Sequence, residues 1–479
     1  LGAHLGAHPR ADLGADDASQ DAILVSGALI AARLLQVRNT GNTTTRMVLN
    51  GGLFRSGTEG MRIELGSGAD QIDMLNSDLI SDGNILLDTS VGQDRAWIEG
   101  GLIDAEKLLD VRTGDGADDL RIALTAIEAE TATFNLGAGE DYLLFIDLER
   151  LNANATILGG QNADVIDIIR LPAQAPGDRL VVNGQAGADQ VNILTHGSQS
   201  GAGINYKIEV LDSGTSDSEL DRLRVQGTAE NDVVLSRAGV LALLHGTPDQ
   251  FRGGQPALSA EQIIYNGNQN GGLLLETLGG DDLVVFEDNT TTTVLEAGSG
   301  NNHIVVGQVF GTRPVATTDL ISGTPLSGVV TTAADGGWVS PGVAHATLIR
   351  SGSGTDRIEV NANTADLRIE SGTGEDNIIL RSFANGTETN GSTRYLLNAK
   401  VDLVAGGDVD RVAFHGSERA DVILLDETRL RGAGRTVTFS GSEEHIVIDG
   451  RGGDDAIHLH STRAGALTEV FGGTGSDHV

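Results

Sequence analysis

Leu65-Gly66-Ser67-Gly68-Ala69-Asp70-Gln71-Ile72-Asp73-Met74 decides the reading of this chain, because its grammar keeps returning. A Gly-x-Gly-x-Asp turn is followed by residues that alternate between polar and aliphatic. The phrase comes back at 113–122, 136–145, 159–168 and 184–193, and later at 297–306, 351–360, 371–380 and 472–479. Asp70, Asp94, Asp118, Asp141, Asp164 and Asp189 follow one another at near-constant spacing; by subtraction the intervals are 24, 24, 23, 23 and 25. A fixed period of that size marks a solenoid, in which one repeat cannot bury its own core and must stack on the next.

Around each turn the chain alternates with period two, as in Met61-Arg62-Ile63-Glu64-Leu65 before it and Ile72 and Met74 after it. That is the pattern of half-buried strands, and glycine supplies the positive φ of the tight turn between them. Two strands and a turn leave ~9 residues of each coil for a third short strand and connections. The expectation is therefore an all-β fold, a three-sided parallel β-helix with coils of about 23–25 residues. About 20 coils at ~4.8 Å each would span on the order of 100 Å.

Residues 1–49 read as a lead-in, partly strand, and 50–226 as regular coils. After Asp189 the beat loosens, with turns expected at Asp221, Asp232, Asp282, Asn302, Asp356, Asp376, Asp410, Asp421, Asp455 and Asp477. Residues 227–306 read as coils with an insertion. Residues 307–342 carry no motif, three prolines and much Thr, Gly and Ala, and read as a protruding loop. Residues 343–479 read as coils again. A larger repeat overlies this. Asp221-Arg222-Leu223, Gly227-Thr228 and Asp232-Val233 recur at one constant offset as Asp410-Arg411-Val412, Gly416-Ser417 and Asp421-Val422. With Leu1 at the start and a fresh turn at Val479, the chain is expected to be a segment of a longer modular protein.

There are 32 basic and 67 acidic residues, a formal charge of −35. This argues against nucleic acid, which needs a Lys/Arg footprint, and against anionic membranes. Cysteine is absent, so no disulfide or thiolate chemistry enters. No apolar run reaches the length of a membrane helix. The eleven histidines are scattered, and no HExxH, P-loop or GxSxG motif occurs. His458 and His460 share a strand face and read as surface residues. Trp97 and Trp338 are isolated, and Trp338 is expected to cap an apolar edge. The chain is not expected to be an enzyme.

The phrases resemble the haemolysin-type calcium-binding repeat, GGxGxDx followed by an aliphatic residue. Gly472-Gly473-Thr474-Gly475-Ser476-Asp477 matches its glycine pattern in full, most other turns lack the first glycine, Asp94 keeps only one, and Asn302 replaces the aspartate. The resemblance covers most of 50–479. It implies calcium-filled parallel β structure in toxins, secreted enzymes and adhesins, and so an extracellular or cell-surface setting. The candidate calcium ligands are Asp70, Asp118, Asp141, Asp164, Asp189, Asp282, Asp356, Asp376, Asp455 and Asp477. Asp281-Asp282 and Asp454-Asp455 are doubled acids, of which one each is expected to face solvent.

Two readings of the aspartates stay open. Stacked carboxylates at ~4.8 Å repel by roughly 3.5 kcal/mol at an effective dielectric near 20, which calcium would relieve. Alternatively each carboxylate accepts N–H bonds of its own turn, worth ~1.5–3 kcal/mol. The expected function is a structural segment of a giant surface protein, an adhesin stalk or filament component. Its partners would be flanking domains of the same chain, further copies of itself or a surface ligand. The alternatives are a polysaccharide-acting β-helix enzyme with a groove beside 307–342, and a passive secretion module of a toxin or enzyme.

Overall fold

In the computed structural model, residues 11–479 are described except 15–20, 28, 40–41, 43, 202, 215–219, 253–256, 258, 315–328, 390 and 442–443. The start of the expected lead-in, 1–10, and 315–328 of the expected loop lie outside the described residues. The chain forms two compact units. One comprises Leu1–Thr195, Ile204–Arg224 and Gln262–Gly271, the other His196–Gly203, Val225–Glu261 and Gly272–Val479.

The alternation seen in the sequence becomes strand. In the first unit Gln71–Leu75 buries Ile72 and Met74 and leaves Gln71, Asp73 and Leu75 half-exposed. The same pattern holds in Arg95–Glu99, Asp119–Ala123, Tyr142–Ile146, Val165–Ile169 and Gln190–Leu194. These six strands pair in parallel, and Met74, Ile98, Ile122, Phe145, Ile168 and Ile193 stand in one column. The strands between them in sequence form a second parallel sheet with the column Ile63, Leu87, Val111, Phe134, Ile157 and Val182. Phe134 and Phe145 meet edge to face at 4.9 Å, so the core lies between the two sheets.

The third short strand is present here. Leu53–Glu64 and Leu102–Asp115 each pair with two short strands, Asp78–Ser81 and Ile85–Asp88, and the register breaks between Ala105 and Leu108. Among the described residues of the second unit it is absent from the shortest repeats. Asp282 to Asn302 and Asp356 to Asp376 are steps of only 20 residues. Each such repeat carries one strand per sheet, giving the columns Val284, Ile304, Ile358, Ile378, Val412, Ile446 and Leu275, Leu295, Ile349, Ile369, Leu403, Phe439. The longer period expected throughout therefore belongs to the first unit.

Antiparallel pairs interrupt the second unit. Val233–Arg237 turns back on Val240–Leu244, and Val422–Asp426, Arg429–Gly432 and Arg435–Phe439 form a meander. The segment 307–342 is more than a loop, since Val309–Phe310, Thr332–Ala334 and Gly337–Val339 form a small antiparallel sheet. Ala384–Thr387 and Thr393–Tyr395 form a hairpin beside it. Trp338 sits in that small sheet, paired with Phe310 and Ala333, and the Arg313 guanidinium lies 5.3 Å from its ring centre. The described residues contain no helix long and apolar enough to cross a membrane.

Turn glycines carry the stacking. The N–H groups of Gly92, Gly116 and Gly139 donate to Asp115, Ala138 and Gln161 of the next repeat at 2.7–3.0 Å. Gly114 has φ +100°, and a Cβ there would stand 1.3 Å from the Ser90 carbonyl oxygen. Gly114→Ala is expected to lower stability by at least ~2 kcal/mol, through left-handed strain and the forced separation of two repeats. Denaturant unfolding of the whole chain measures it.

Candidate functional site

Each turn ends on its aspartate, one residue before a strand, and the carboxylates line up. In the first unit the Thr45 N–H donates to Asp70 Oδ1 at 2.6 Å, and the Asp70 N–H to Asp94 Oδ1 at 2.7 Å. The relay continues through Asp118, Asp141, Asp164, Asp189 and Asp221 at 2.7–3.0 Å. The Asp221 N–H closes it on Asn270 Oδ1. Successive strands are ~4.8 Å apart, a gap that one aspartate side chain spans. The carboxylates thus bond between repeats rather than closing their own turns.

The second unit repeats the device. Ser198 donates to Asp232, and the series runs through Asp282, Asn302, Asp356, Asp376 and Asp410 to Glu444. A further series joins Asp421, Asp455 and Asp477. All ten residues singled out in the sequence are rungs. So are Asp94, Asp221, Asp232, Asp410 and Asp421, which stand among the expected turns but not among the candidate calcium ligands. Their position one residue before the aliphatic alternation is the signal that finds them.

The doubled acids build an outer rail. The Asp281 N–H donates to Asn231 Oδ1, the Asn301 N–H to Asp281 Oδ1 and the Thr355 N–H to Asn301 Oδ1, at 2.7–2.8 Å. The Ser476 N–H donates likewise to Asp454 Oδ1. Asp281 and Asp454 are exposed, as expected, but they cap the neighbouring repeat as well.

The inner aspartate rungs are buried, at 0–4% exposure except Asp477. One oxygen of each takes the N–H. The other, Oδ2, is buried without a hydrogen bond in Asp70, Asp94, Asp118, Asp141, Asp164, Asp282, Asp356, Asp376 and Asp455. Hydroxyls stand five positions before several rungs, but Thr89 and Thr113 give their protons to the Thr113 and Leu136 carbonyls. In three other rungs the second oxygen is satisfied: the Thr228 N–H donates to Asp232 Oδ2, the Gly406 N–H to Asp410 Oδ2 and the Ser417 N–H to Asp421 Oδ2.

Asn302 shows what the orphan position faces. Its Oδ1 takes the Asp282 N–H, and its Nδ2 donates to the Ser351 carbonyl at 3.2 Å. Ser351 lies five positions before the next rung. The matching carbonyl for Asp164 is Gly184. A Cβ on Gly159 would lie 2.5 Å from the Gly184 oxygen and 2.6 Å from Asp164 Oδ2. Gly450 is placed likewise between Asp455 Oδ2 and the Gly472 oxygen, at 2.3 and 2.4 Å. The two acceptors border one space, where a proton on Oδ2 would ease their repulsion. Burial, and then neighbouring carboxylates, push Asp94, Asp141 and Asp376 up to about 7, Asp164 and Asp282 to about 8 and Asp455 to about 6.

Calcium takes 6–8 oxygens. The ladder offers one orphan carboxylate oxygen per repeat. The Asp70, Asp94, Asp118 and Asp141 carbonyls already accept N–H bonds from the next repeat. Among the described residues no three His, Asp or Glu side chains are grouped to hold one ion. These side-chain oxygens alone are fewer than calcium takes, so an ion at these turns would draw on other turn carbonyls as well.

Two other constellations come together. Ser200 Oγ lies 3.4 Å from His245 Nδ1, and His245 Nε2 lies 3.4 Å from Glu261 Oε1. The Ser200 hydroxyl, however, donates to the Gly197 carbonyl at 2.8 Å, and neither His245 Nε2 nor Glu261 Oε1 is hydrogen-bonded. The Ser200 hydroxyl thus has both the Gly197 carbonyl and the His245 imidazole within hydrogen-bond reach, the carbonyl being the nearer. His458 is exposed and stacks edge to face on His478 at 6.5 Å, while His460 is exposed beside it in sequence.

Because the rungs' pKa values are raised on folding, their contribution is complete below about pH 4, where the unfolded chain is protonated too. It falls as pH rises from there through about 6–8. Pairing of Glu370 with Arg350 and Arg368 acts oppositely and is lost in acid. The melting temperature is expected to be higher at pH 5 than at pH 8. Asp164→Asn keeps the acceptor and supplies a proton, so it is expected to match or exceed the parent at pH 8 and to flatten the pH slope. Asp164→Ala strands the Asp141 N–H and is expected to cost about 1–3 kcal/mol. Thermal melts of the three proteins across pH 4–9 check this.

Compared with protein-family models and with curated proteins, the chain matches none.

Proposed function

We propose that the chain winds as a parallel β-helix and serves as a structural repeat segment of a very large extracellular or cell-surface protein, an adhesin stalk or filament component. The observation that carries this reading is the relay of one N–H···Oδ1 bond per repeat, in register with two parallel sheets. Such a relay ties each repeat to the next and serves no pocket. Resistance to pulling is what it suits, since each repeat opens only after a strand pair per sheet and its rung have broken.

The haemolysin-type resemblance adds export and calcium to the proposal. The turn geometry favours a ladder held by hydrogen bonds and protons, with calcium unnecessary for it. The acidic surface is consistent with a soluble spacer whose partners are flanking domains, further copies or a surface ligand.

Pulling the whole chain by its ends in a force spectrometer tests both parts. A stack of such repeats is expected to yield in steps of roughly 70–90 Å of contour, each one repeat long. A single event releasing a whole unit at low force would remove the mechanical reading. The step forces are expected to be the same in EDTA as in millimolar calcium. Steps that weaken in EDTA, with calcium measured on the protein, would replace the hydrogen-bonded ladder by a calcium-bridged one.

A further inference from the structure

The small sheet within 307–342 and the hairpin within 384–395 both leave the second unit, and they enclose a cavity of about 280 Å³ against the turn at 416–418. We propose that this cavity is a binding site for a single sugar ring. The inference concerns these insertions alone and stands whether or not the repeats bear load.

The walls are built, not incidental. The Asp335 N–H donates to the Ala384 carbonyl at 2.7 Å, joining the two insertions. Arg419 grips the Asp335 carboxylate through Nε at 2.6 Å and Nη2 at 3.3 Å, and its Nη1 donates to Thr387 Oγ1 at 3.1 Å. Both insertions are thereby fixed to each other and to the turn after Gly416. Phe383, which lines the cavity, is backed by the buried cluster of Val339, Ala362 and Leu396. A uniform spacer has no use for two insertions stapled around a space.

The lining chemistry alternates. Arg451 brings guanidinium donors, Glu418 brings carboxylate acceptors and Phe383 an apolar face, while Arg381, held by Glu359 and Asn361, and Asp335, held by Arg419, add charge that is already paired. Arg451 Nε meets Glu418 Oε1 at 3.2 Å, and a guanidinium with five donors and a carboxylate with two oxygens keep hydrogen-bonding capacity beyond that contact. Ser382 also lines the cavity. It is only 4% exposed, its N–H is spent on the His415 carbonyl, and its Oγ has no hydrogen-bond partner. That oxygen is shut off from solvent, so Ser382 belongs to the wall and offers the ligand no contact of its own.

Balanced charge decides the class. Two carboxylates repel a phosphate and two guanidinia repel a cation. A ring bearing hydroxyls, each donor and acceptor at once, pairs with both, while its C–H face rests on Phe383. The volume lies just below the roughly 300–1,000 Å³ usual for ligand sites, which suits one ring rather than an oligomer.

Titrating the whole chain with D-glucose, D-galactose, N-acetyl-D-glucosamine and D-glucuronate by calorimetry and ligand-observed NMR tests this, with inorganic phosphate as the control. Saturable binding of at least one sugar is expected. Arg451→Ala, at an exposed position, is expected to weaken it about tenfold or more without moving the melting temperature. Ser382→Ala, which removes a hydroxyl shut off from the cavity, is expected to leave binding unchanged. No sugar binding up to about 20 mM, binding unchanged in Arg451→Ala, or phosphate binding more tightly than any of the sugars would each overturn the proposal.

Discussion

Everything in this structure depends on the spacing of parallel strands. At ~4.8 Å between neighbours, an aspartate at the end of each turn reaches the backbone N–H of the equivalent aspartate one repeat away, and hardly any other side chain does so without strain. Longer acids overreach, and Asn is the natural isostere, used at Asn302. Within these series Glu occurs only as the terminal acceptor, at Glu444. The strands would stack through their own ladders without these bonds. What the rungs add is satisfaction of turn N–H groups that lie outside the sheets and away from water, where an unmet donor is costly.

The same constraint explains the longer repeat seen in the sequence. Asp410 and Asp421 each precede a strand, Arg411–His415 in one sheet and Val422–Asp426 in the other. One repeat therefore carries a rung at both of its turns, and from there the series continues on the second side. The strand that follows folds back antiparallel in each copy of the motif, as Val233–Arg237 on Val240–Leu244 and as Val422–Asp426 on Arg429–Gly432. Within the second unit these two excursions fall on opposite sheets. An excursion in one sheet lengthens the path between rungs on that side, as with the 50 residues from Asp232 to Asp282 and the 34 from Asp421 to Asp455.

Much of this was legible in the residues. Period-two alternation around Asp70 and Asp189 places Ile72, Met74, Val191 and Ile193 inside because only alternate side chains face a sheet's core. The regular spacing of the first six aspartates implied stacked parallel strands. The shorter steps of the second unit and the antiparallel meander were not legible, because the alternation is the same for parallel and antiparallel strands, and loss of a short third strand leaves no composition signal. The small sheet at 309–339 was hidden in a Thr- and Gly-rich stretch that propensity reads as loop. The direction of the carboxylates was hidden too. Spacing along the chain says that the aspartates stack, and only the register says that each one's oxygen meets the next one's N–H.

The glycine pattern also takes on a different meaning. In turns such as those ending at Asp164, Asp189, Asp455 and Asp477, the residue five before the rung is glycine, and a Cβ there would fall 2.2–2.6 Å from the carboxylate's second oxygen. Where that position is Thr or Ser, as at Thr89, Thr113 and Ser351, the hydroxyl is turned to the carbonyl of the next repeat instead. Both solutions leave room for that second oxygen. A cation at the turn would need the space lined with further oxygens, whereas a protonated carboxyl needs one acceptor, and the Gly184 and Gly472 carbonyls border that space beside Asp164 and Asp455. The formal charge of −35 counts every such carboxyl as ionised. With Asp94, Asp141 and Asp376 pushed up to about 7 and Asp164 and Asp282 to about 8, part of that charge is absent near neutrality, and the acidity that solvent meets comes from outward residues such as Asp281 and Asp454.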